Sequence, residues 1–164
     1  MKKLIAFVSV LVCVLALAGC NNTKDEQVLK YSFSGENEYF KVSNGSIILS
    51  NTEEVFNGGD LETTLSTVFD DVVSYTGTFY TLINDNRRII LSNSTSDKAG
   101  GTVNVDGDLG SVSGKDVIIG KKASTVNELK ENLWFELKTS DLNGRTNTYQ
   151  LQLTLTEIAG TPTE

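Results

Sequence analysis

The chain has 164 residues, with 14 basic and 21 acidic side chains, no histidine and a formal net charge of −7 at pH 7. Without histidine it lacks both the usual general base of catalysis and the commonest transition-metal ligand. Its acidic balance also disfavours nucleic-acid binding, because contact with phosphates requires clustered Lys and Arg.

The first residues have the pattern of a secretion signal. Lys2 and Lys3 precede an uncharged, mainly apolar run from Leu4 to Ala18. A helix that crosses a membrane needs about 20 apolar residues, so this run is too short to serve as a permanent span. We predict that the segment is removed on secretion.

A lipidation motif closes this segment. The sequence Leu17-Ala18-Gly19-Cys20 resembles the lipobox of bacterial lipoproteins, in which an aliphatic residue and two small residues precede a cysteine. The resemblance implies that residues 1–19 form a lipoprotein signal peptide and that Cys20 is lipidated and becomes the first mature residue. Two or three acyl chains suffice for stable anchoring, since each buried CH₂ contributes about 0.8 kcal/mol. The alternative is a plain secreted protein in which the cysteine stands here by chance.

Cleavage at this site would change the composition of the chain. Removing residues 1–19 of the 164 leaves 145, which is enough for one domain and a short tether. Loss of Lys2 and Lys3 takes the basic residues from 14 to 12 and the formal charge from −7 to −9. Cys13 leaves with the signal, so Cys20 has no disulfide partner in the mature chain and the domain must be stable without one.

The mature chain divides into three parts. Residues 20–27 are polar beyond Cys20 and predict a lipidated, flexible tether. Residues 28–158 contain the periodic apolar pattern of one folded domain. Residues 159–164, which include the only proline, are predicted to be a frayed tail.

Alternation of apolar and polar residues dominates the predicted domain. Leu29, Tyr31 and Phe33 share one face of a first strand, and alternation is clearest in the final strand, where Tyr149 begins the apolar series. Further strands are predicted at 39–42, 46–50, 72–83, 89–92, 102–105, 116–119 and 133–138, with the last strand at 149–156. Turns are predicted at 84–86, at the glycines of 100–114 and at Asn143-Gly144.

Two segments have helical spacing instead. Thr125 opens a capping-box pattern that is followed by Val126 and Leu129, and Leu61, Leu65 and Val68 have a similar spacing. Many short strands, frequent turns and so little helix predict an all-β fold. The expected architecture is an antiparallel immunoglobulin-like β-sandwich with at most one or two short helices.

A second resemblance supports this fold. Residues 31–40, with the sequence Tyr-Ser-Phe-Ser-Gly-Glu-Asn-Glu-Tyr-Phe, and the later strand of Trp134 resemble small uncharacterised lipoproteins of Gram-positive bacteria. The resemblance implies a surface-located β-sandwich and no particular activity. This chain departs from that pattern because Tyr39-Phe40 stands where a tryptophan is expected.

The residues that could support catalysis are better explained as structural. Ser113-Gly114-Lys115 and Ser96-Asp97-Lys98 place serine near lysine, but both lie in loop-like sequences where turns are the ordinary explanation. The carboxylate pairs Asp70-Asp71 and Glu53-Glu54 would point to opposite faces of a strand. We therefore predict no enzymatic activity and no cofactor.

Two binding candidates remain. Asp106 and Asp108 flank a glycine and could offer oxygen ligands to Ca²⁺, although a complete calcium-loop pattern is lacking and a glycine-rich turn explains them more simply. Trp134 would lie on the strand face opposite Leu133 and Phe135. An exposed tryptophan there would suit a protein or carbohydrate partner. A loop or the short helix covering it is the favoured alternative.

The sequence thus predicts a lipid-anchored binding or interaction module on the extracytoplasmic face of the cell membrane. Its partners would be the membrane, through lipid on Cys20, and a protein or glycan. One alternative is an accessory structural lipoprotein that joins a membrane complex through its sheet edge. The other is a hydrolase with a serine–lysine or carboxylate site. The oligomeric state stays open.

Mass spectrometry of the membrane fraction checks the anchor. The mature chain is expected to begin at Cys20, with a mass increased by the attached lipid. A soluble mature protein with an unmodified Cys20, or a start at any other residue, would contradict the prediction.

Overall fold

The computed structural model describes residues 28–83, 86–97, 99–118 and 125–158. These residues form eleven strands, one α-helix and one short 3₁₀ helix at Ser66–Val68. In the first half of the chain the strands are β1 (Leu29–Glu36), β2 (Phe40–Leu49), β3 (Glu54–Asn57), β4 (Asp60–Thr63), β5 (Val72–Ile83) and β6 (Asn86–Ser96). The second half contains β7 (Gly107–Asp108), β8 (Ser111–Gly114), α1 (Thr125–Asn132), β9 (Leu133–Asp141), β10 (Thr146–Gln152) and β11 (Thr154–Ile158).

The strands form two sheets in which the pairings are antiparallel. The first sheet has the order β11-β1-β2-β3-β8, and β4 pairs with both β2 and β7 beside this path. The second sheet has the order β10-β9-β5-β6. The predicted all-β sandwich with at most two short helices is therefore confirmed.

Phenylalanine rings from both sheets fill the space between them. Phe79 of β5 lies 5.0 Å from the ring of Phe56 and 4.8 Å from that of Phe135, and Phe33 lies 5.2 Å from Phe56. All four side chains are at most 2% exposed. Such aromatic pairs contribute about 0.5–1.5 kcal/mol each beyond the burial of their surface. This cluster, defined by Phe33, Phe56, Phe79 and Phe135, is the aromatic core.

The predicted final strand is divided between the two sheets. β10 pairs with β9 in the second sheet, whereas β11 pairs with β1 in the first. Leu153 lies at the change of sheet, where its N–H donates to the carbonyl of Leu133 at 2.9 Å. The side chain of Leu153 is 1% exposed, so the alternation continues while the pairing partner changes. A strand that switches sheets in this way forms a corner of the sandwich.

Two predicted strands are one strand in the structure. The expected strands at 39–42 and 46–50 join into β2 through a bulge, where Ser43 and Asn44 together oppose Ser34. Asn44 adopts a φ of 58°, a left-handed conformation that Asn tolerates better than most residues. The Ser43-Asn44-Gly45 segment between the two predicted strands is therefore a bulge inside β2.

Residues 102–105 and 116–118 do not form the predicted strands, and Ile119 lies outside the described residues. Val105 and Ile118 are buried all the same, at 2% and 1% exposure. Their apolar side chains pack against the core, although their main chains do not pair in a sheet. Instead, the glycine-containing segments that were expected to be turns supply the short strands β7 and β8.

The helix and turn predictions have mixed outcomes. The expected helix after Thr125 is present as α1, and Gly144 provides the predicted turn between β9 and β10 with a φ of 74°. The helix predicted at 61–68 is wrong in its first part, because Leu61 belongs to β4. Only the short 3₁₀ helix follows it. Residues 84 and 85 of the predicted hairpin turn lie outside the described residues. The strand after that turn is longer than predicted.

Substitution of Gly45 tests how tightly β2 packs against the aromatic core. A Cβ atom placed on Gly45 would overlap the ring of Phe33, which is 2% exposed. We expect Gly45→Ala to lower the free energy of unfolding by about 1–3 kcal/mol through overpacking. Ser46→Ala on the same strand is the control, because the Ser46 side chain makes no hydrogen bond to another described residue. Urea titration measures both, and equal stabilities of the two variants would contradict the packing described.

Candidate binding face

The side chains of the second sheet that point away from the aromatic core form a surface, here called the outer face. Because Phe79 and Phe135 enter the core, their neighbours along β5 and β9 point outward. The strand registers align these outward residues in rows across β10, β9, β5 and β6. The rows are Gln152, Trp134, Tyr80 and Ile89; Gln150, Glu136, Thr78 and Ser92; and Thr148, Lys138, Thr76 and Ser94.

Charged and amide groups are fixed at the centre of the outer face. The two terminal nitrogens of Arg87 each donate to one oxygen of Glu136 at 2.9 Å, which is a bidentate pair. The side-chain amide of Gln150 donates to the same carboxylate at 3.0 Å. Arg87 reaches Glu136 by crossing Tyr80, with its guanidinium carbon 3.9 Å from the ring centre. Tyr80 is consequently only 4% exposed although it lies on the outer face.

These contacts shift the titration of the groups involved. The hydrogen bonds from Arg87 are the largest cause of a lowered pKa for Glu136, and burial of the carboxylate opposes them. The same pair raises the pKa of Arg87, and burial raises the pKa of the Tyr80 phenol. The pair therefore stays ionised and mutually neutralised at physiological pH.

Hydroxyl groups continue the outer face toward β6. Thr78 and Ser92 share a hydrogen bond of 3.0 Å, and Thr76 and Ser94 share one of 2.8 Å. Each pair lies directly across the two strands, where short polar side chains can reach each other. The face thus presents hydroxyls and amides around one neutralised ion pair.

Trp134 borders this polar array. The side chain points outward beside Glu136, as the sequence predicted, and it is partly buried. Its indole Nε1 is buried and has no hydrogen-bond partner in the described part of the chain. The side-chain N–H of neighbouring Gln152 donates to the carbonyl of Glu131 at 2.7 Å. A buried donor left unpaired costs about 1–3 kcal/mol.

Two open clefts lie away from the outer face. One, of about 360 Å³, lies over the bulge of β2 and is lined by polar residues that include Lys41 and Asn44. The other, of about 310 Å³, lies between the 3₁₀ turn and residues 102–106, where both Asp70 and Asp106 line it. Both aspartates are exposed to solvent.

The residue pairs that the sequence offered as catalytic candidates are exposed to solvent or already hydrogen-bonded. Ser113 and Lys115 are both exposed at the end of β8, and Lys98 lies outside the described residues. Glu54 accepts a hydrogen bond from the N–H of Ile118 at 2.6 Å, while Glu53 is exposed. These groups therefore hold turns or face solvent.

Asp106 and Asp108, the calcium candidates, bond main-chain donors. Asp106 accepts from the N–H of Thr63 at 2.6 Å, and Asp108 accepts from the N–H of Gly110 at 2.6 Å. Within the described ranges, no group of three or more His, Cys, Asp or Glu side chains is arranged to hold a metal ion. The two aspartates stabilise the turn around β7.

Sequence reasoning found Trp134 but missed Arg87, Tyr80 and Gln150. The alternation along 133–138 already placed Glu136 beside Trp134, so a partner for that carboxylate could have been sought. Arg87 could not be assigned because its role depends on how β6 lies relative to β9. That register is a property of the whole sheet.

The lipidation candidate Cys20 and the predicted tether lie outside the described residues. No helix within the described residues is long and apolar enough to cross a membrane. No protein-family model, curated protein or solved structure matches the chain.

The ion pair on the outer face predicts a pH dependence. Glu136 has a lowered pKa in the folded state, so its contribution to stability is present above its unfolded pKa of about 4.3 and is lost as the pH falls through the folded value. Glu136→Gln should reduce stability at pH 7 by about 0.5–1 kcal/mol, since the pair is partly exposed. It should also lose less stability than the unmodified chain between pH 7 and pH 3.

Urea titration at the two pH values measures this effect. Glu62→Gln, at an exposed glutamate of β4, is the matched control. If both variants lose stability with acid to the same extent as the unmodified chain, the pair does not stabilise the fold.

Proposed function

We propose that this protein is a lipid-anchored surface binding module whose outer face binds an uncharged glycan of the cell envelope. The observation that carries the proposal is the outward, partly exposed Trp134 beside rows of hydroxyl and amide groups. An aromatic ring offers a surface for the apolar face of a sugar, and hydroxyl and amide groups can bond its hydroxyls. The geometry supports this ligand class better than it supports catalysis.

Charge favours a neutral ligand. The chain carries a formal net charge of −7, which would repel anionic polymers. On the outer face, Arg87 and Glu136 neutralise each other, and Lys138 is the remaining charge in the aligned rows. Hydroxyl and amide groups supply the other polar contacts. An uncharged polymer with many hydroxyls therefore complements the face.

The proposed location rests on the N-terminal sequence. Lipid on Cys20 would hold the domain at the extracytoplasmic face of the membrane, and β1 begins at Leu29, nine positions after that cysteine. This short connection would keep the outer face close to envelope polymers. The lipobox supports the anchor, and the acidic chain disfavours nucleic acid as a partner.

A carboxylate-based hydrolase is the second candidate function. The observation in its favour is that Asp70 and Asp106 line the same open cleft of about 310 Å³. Against it, Asp106 already bonds the N–H of Thr63 at 2.6 Å and both carboxylates are exposed. We therefore rank binding ahead of hydrolysis.

Titration with neutral oligosaccharides tests the proposal. Trp134 is the only tryptophan, so a change of intrinsic fluorescence on adding an N-acetylglucosamine hexamer or cellohexaose reports directly on this part of the outer face. Calorimetry then measures the variants. Trp134→Phe, which retains a smaller ring, should weaken binding by up to about tenfold, and Trp134→Ala, which removes the ring, should weaken it further.

Leu142→Ala is the control, because Leu142 is 56% exposed in the turn between β9 and β10, outside the rows of the outer face. It should bind like the unmodified chain. Circular dichroism confirms that each variant is folded. Lack of response to either sugar at millimolar concentration, or equal binding by Trp134→Ala and the unmodified chain, would overturn the glycan proposal.

A further inference from the structure

Exposed apolar side chains gather at one end of the first sheet. Six large apolar side chains are exposed in the described ranges, and three of them lie at this end. Ile48 and Ile158 are 36% and 47% exposed, and Val28, just before β1, is 38% exposed. Single exposed apolar residues are ordinary on a protein surface, whereas a group of them is typical of a contact surface.

The strand registers align two of these side chains in one row on the solvent side of the first sheet. The directly opposed residues across β11, β1, β2, β3 and β8 are Ile158, Lys30, Ile48, Val55 and Ser113. Their chain neighbours Tyr31, Ile47 and Phe56 are at most 2% exposed and enter the core, so the row projects to the opposite side. These five opposed residues are here called the basal row.

Lys30 gives the basal row an amphipathic character. The register places Lys30 between Ile158 and Ile48, and its side chain is exposed. A lysine can bury its aliphatic stem in apolar surroundings while its charge stays among polar groups. Aliphatic side chains beside a lysine therefore match the boundary between the acyl chains and the headgroups of a phospholipid bilayer.

The charges around the basal row are balanced. The exposed charged side chains of the row and of its neighbouring turns, among the described residues, are two basic and two acidic: Lys30, Lys115, Glu53 and Asp116. Glu157 of β11 pairs with Lys130 of α1 at 3.3 Å. This end of the sheet therefore carries no excess of negative charge that would repel anionic headgroups.

The opposite end of the same sheet is acidic. Glu36, Lys41 and Glu62 oppose one another across β1, β2 and β4, about 20 Å along β1 from Lys30. Two carboxylates thus accompany one ammonium group there. An anionic membrane surface would repel this end of the sheet and favour contact at the basal row.

The predicted tether joins the domain at the end that carries the basal row. β1 begins at Leu29, nine positions after Cys20, and Lys30 is its second residue. Nine extended positions span at most about 30 Å. Lipid on Cys20 would therefore hold the basal row within that distance of the bilayer.

We propose that the basal row docks on the phospholipid bilayer, with Ile48 and Ile158 at the acyl-chain boundary and Lys30 at the headgroup phosphates. This inference rests on the lipid anchor of the proposed function and is independent of glycan binding. The outer face belongs to the other sheet of the sandwich, on its opposite side. Docking would therefore leave the outer face directed away from the membrane.

Quenching by labelled lipid tests the docking. The full lipidated chain is reconstituted in vesicles of phosphatidylglycerol and phosphatidylcholine that contain nitroxide-labelled lipid. A nitrobenzoxadiazole probe is attached to Ile48→Cys or, as the matched control, to Ser94→Cys on β6. Lipid on Cys20 leaves the introduced thiol as the one that reacts, because the mature chain has no other cysteine. The probe at position 48 should be quenched at least about twofold more than the probe at position 94, since interfacial contacts reach the headgroup boundary.

A second substitution shows whether the basal row itself makes the contact. Ile158→Asp, combined with the probe at position 48, should lower the quenching to the level of the probe at position 94, because it places a charge where an aliphatic side chain enters the bilayer. Leu142→Asp makes a comparable change at a residue that is 56% exposed in the turn between β9 and β10. It should leave the quenching unchanged. Circular dichroism confirms that each variant is folded.

Flotation of the vesicles separates failure of the anchor from failure of the docking. A chain that floats with the vesicles and is quenched equally at both positions overturns the docking alone. A chain that stays in the soluble fraction overturns the anchor and, with it, the docking. A probe at position 48 that is shielded from water without being quenched by nitroxide would show that a second copy or another protein covers the row, which also overturns the docking.

Discussion

Contact between phenylalanine rings of the two sheets is the interaction on which the rest of the structure depends. Phe79 contacts Phe56 across the sandwich and Phe135 along its own sheet, at ring distances of 5.0 and 4.8 Å. The described part of the domain contains no cysteine, so this packing must stabilise the fold without disulfides. Once Phe79 and Phe135 face inward, strand geometry determines which neighbours face outward.

The outer face is therefore a consequence of the aromatic core. Glu136 lies between the inward-pointing Phe135 and Leu137, and Tyr80 follows Phe79 directly. Their positions are held by buried residues, so the Arg87–Glu136 pair forms on a rigid support. A polar surface built on regular strands keeps its hydrogen-bonding groups in fixed register, which lowers the cost of ordering them when a ligand binds.

The local pattern of the sequence was sufficient for the fold class and for many strands. Tyr31 and Phe33 are buried in β1, and Gly144 provides the predicted turn of the last hairpin. The pattern was misleading where a buried residue does not belong to a strand and where a strand changes its pairing partner. Val105 is buried without belonging to a strand, and Leu153 keeps its inward direction while the chain changes sheets. Alternation specifies which side faces the core, but it does not specify the neighbouring strand.

The same limit explains what could be predicted of the candidate site. Trp134 and Glu136 were placed on one face because two residues of the same strand suffice for that inference. Arg87 approaches Glu136 only because β5 lies between β6 and β9, an arrangement between segments 49 residues apart in the chain. Contacts over such separations depend on sheet order, which the packing of all the strands determines together.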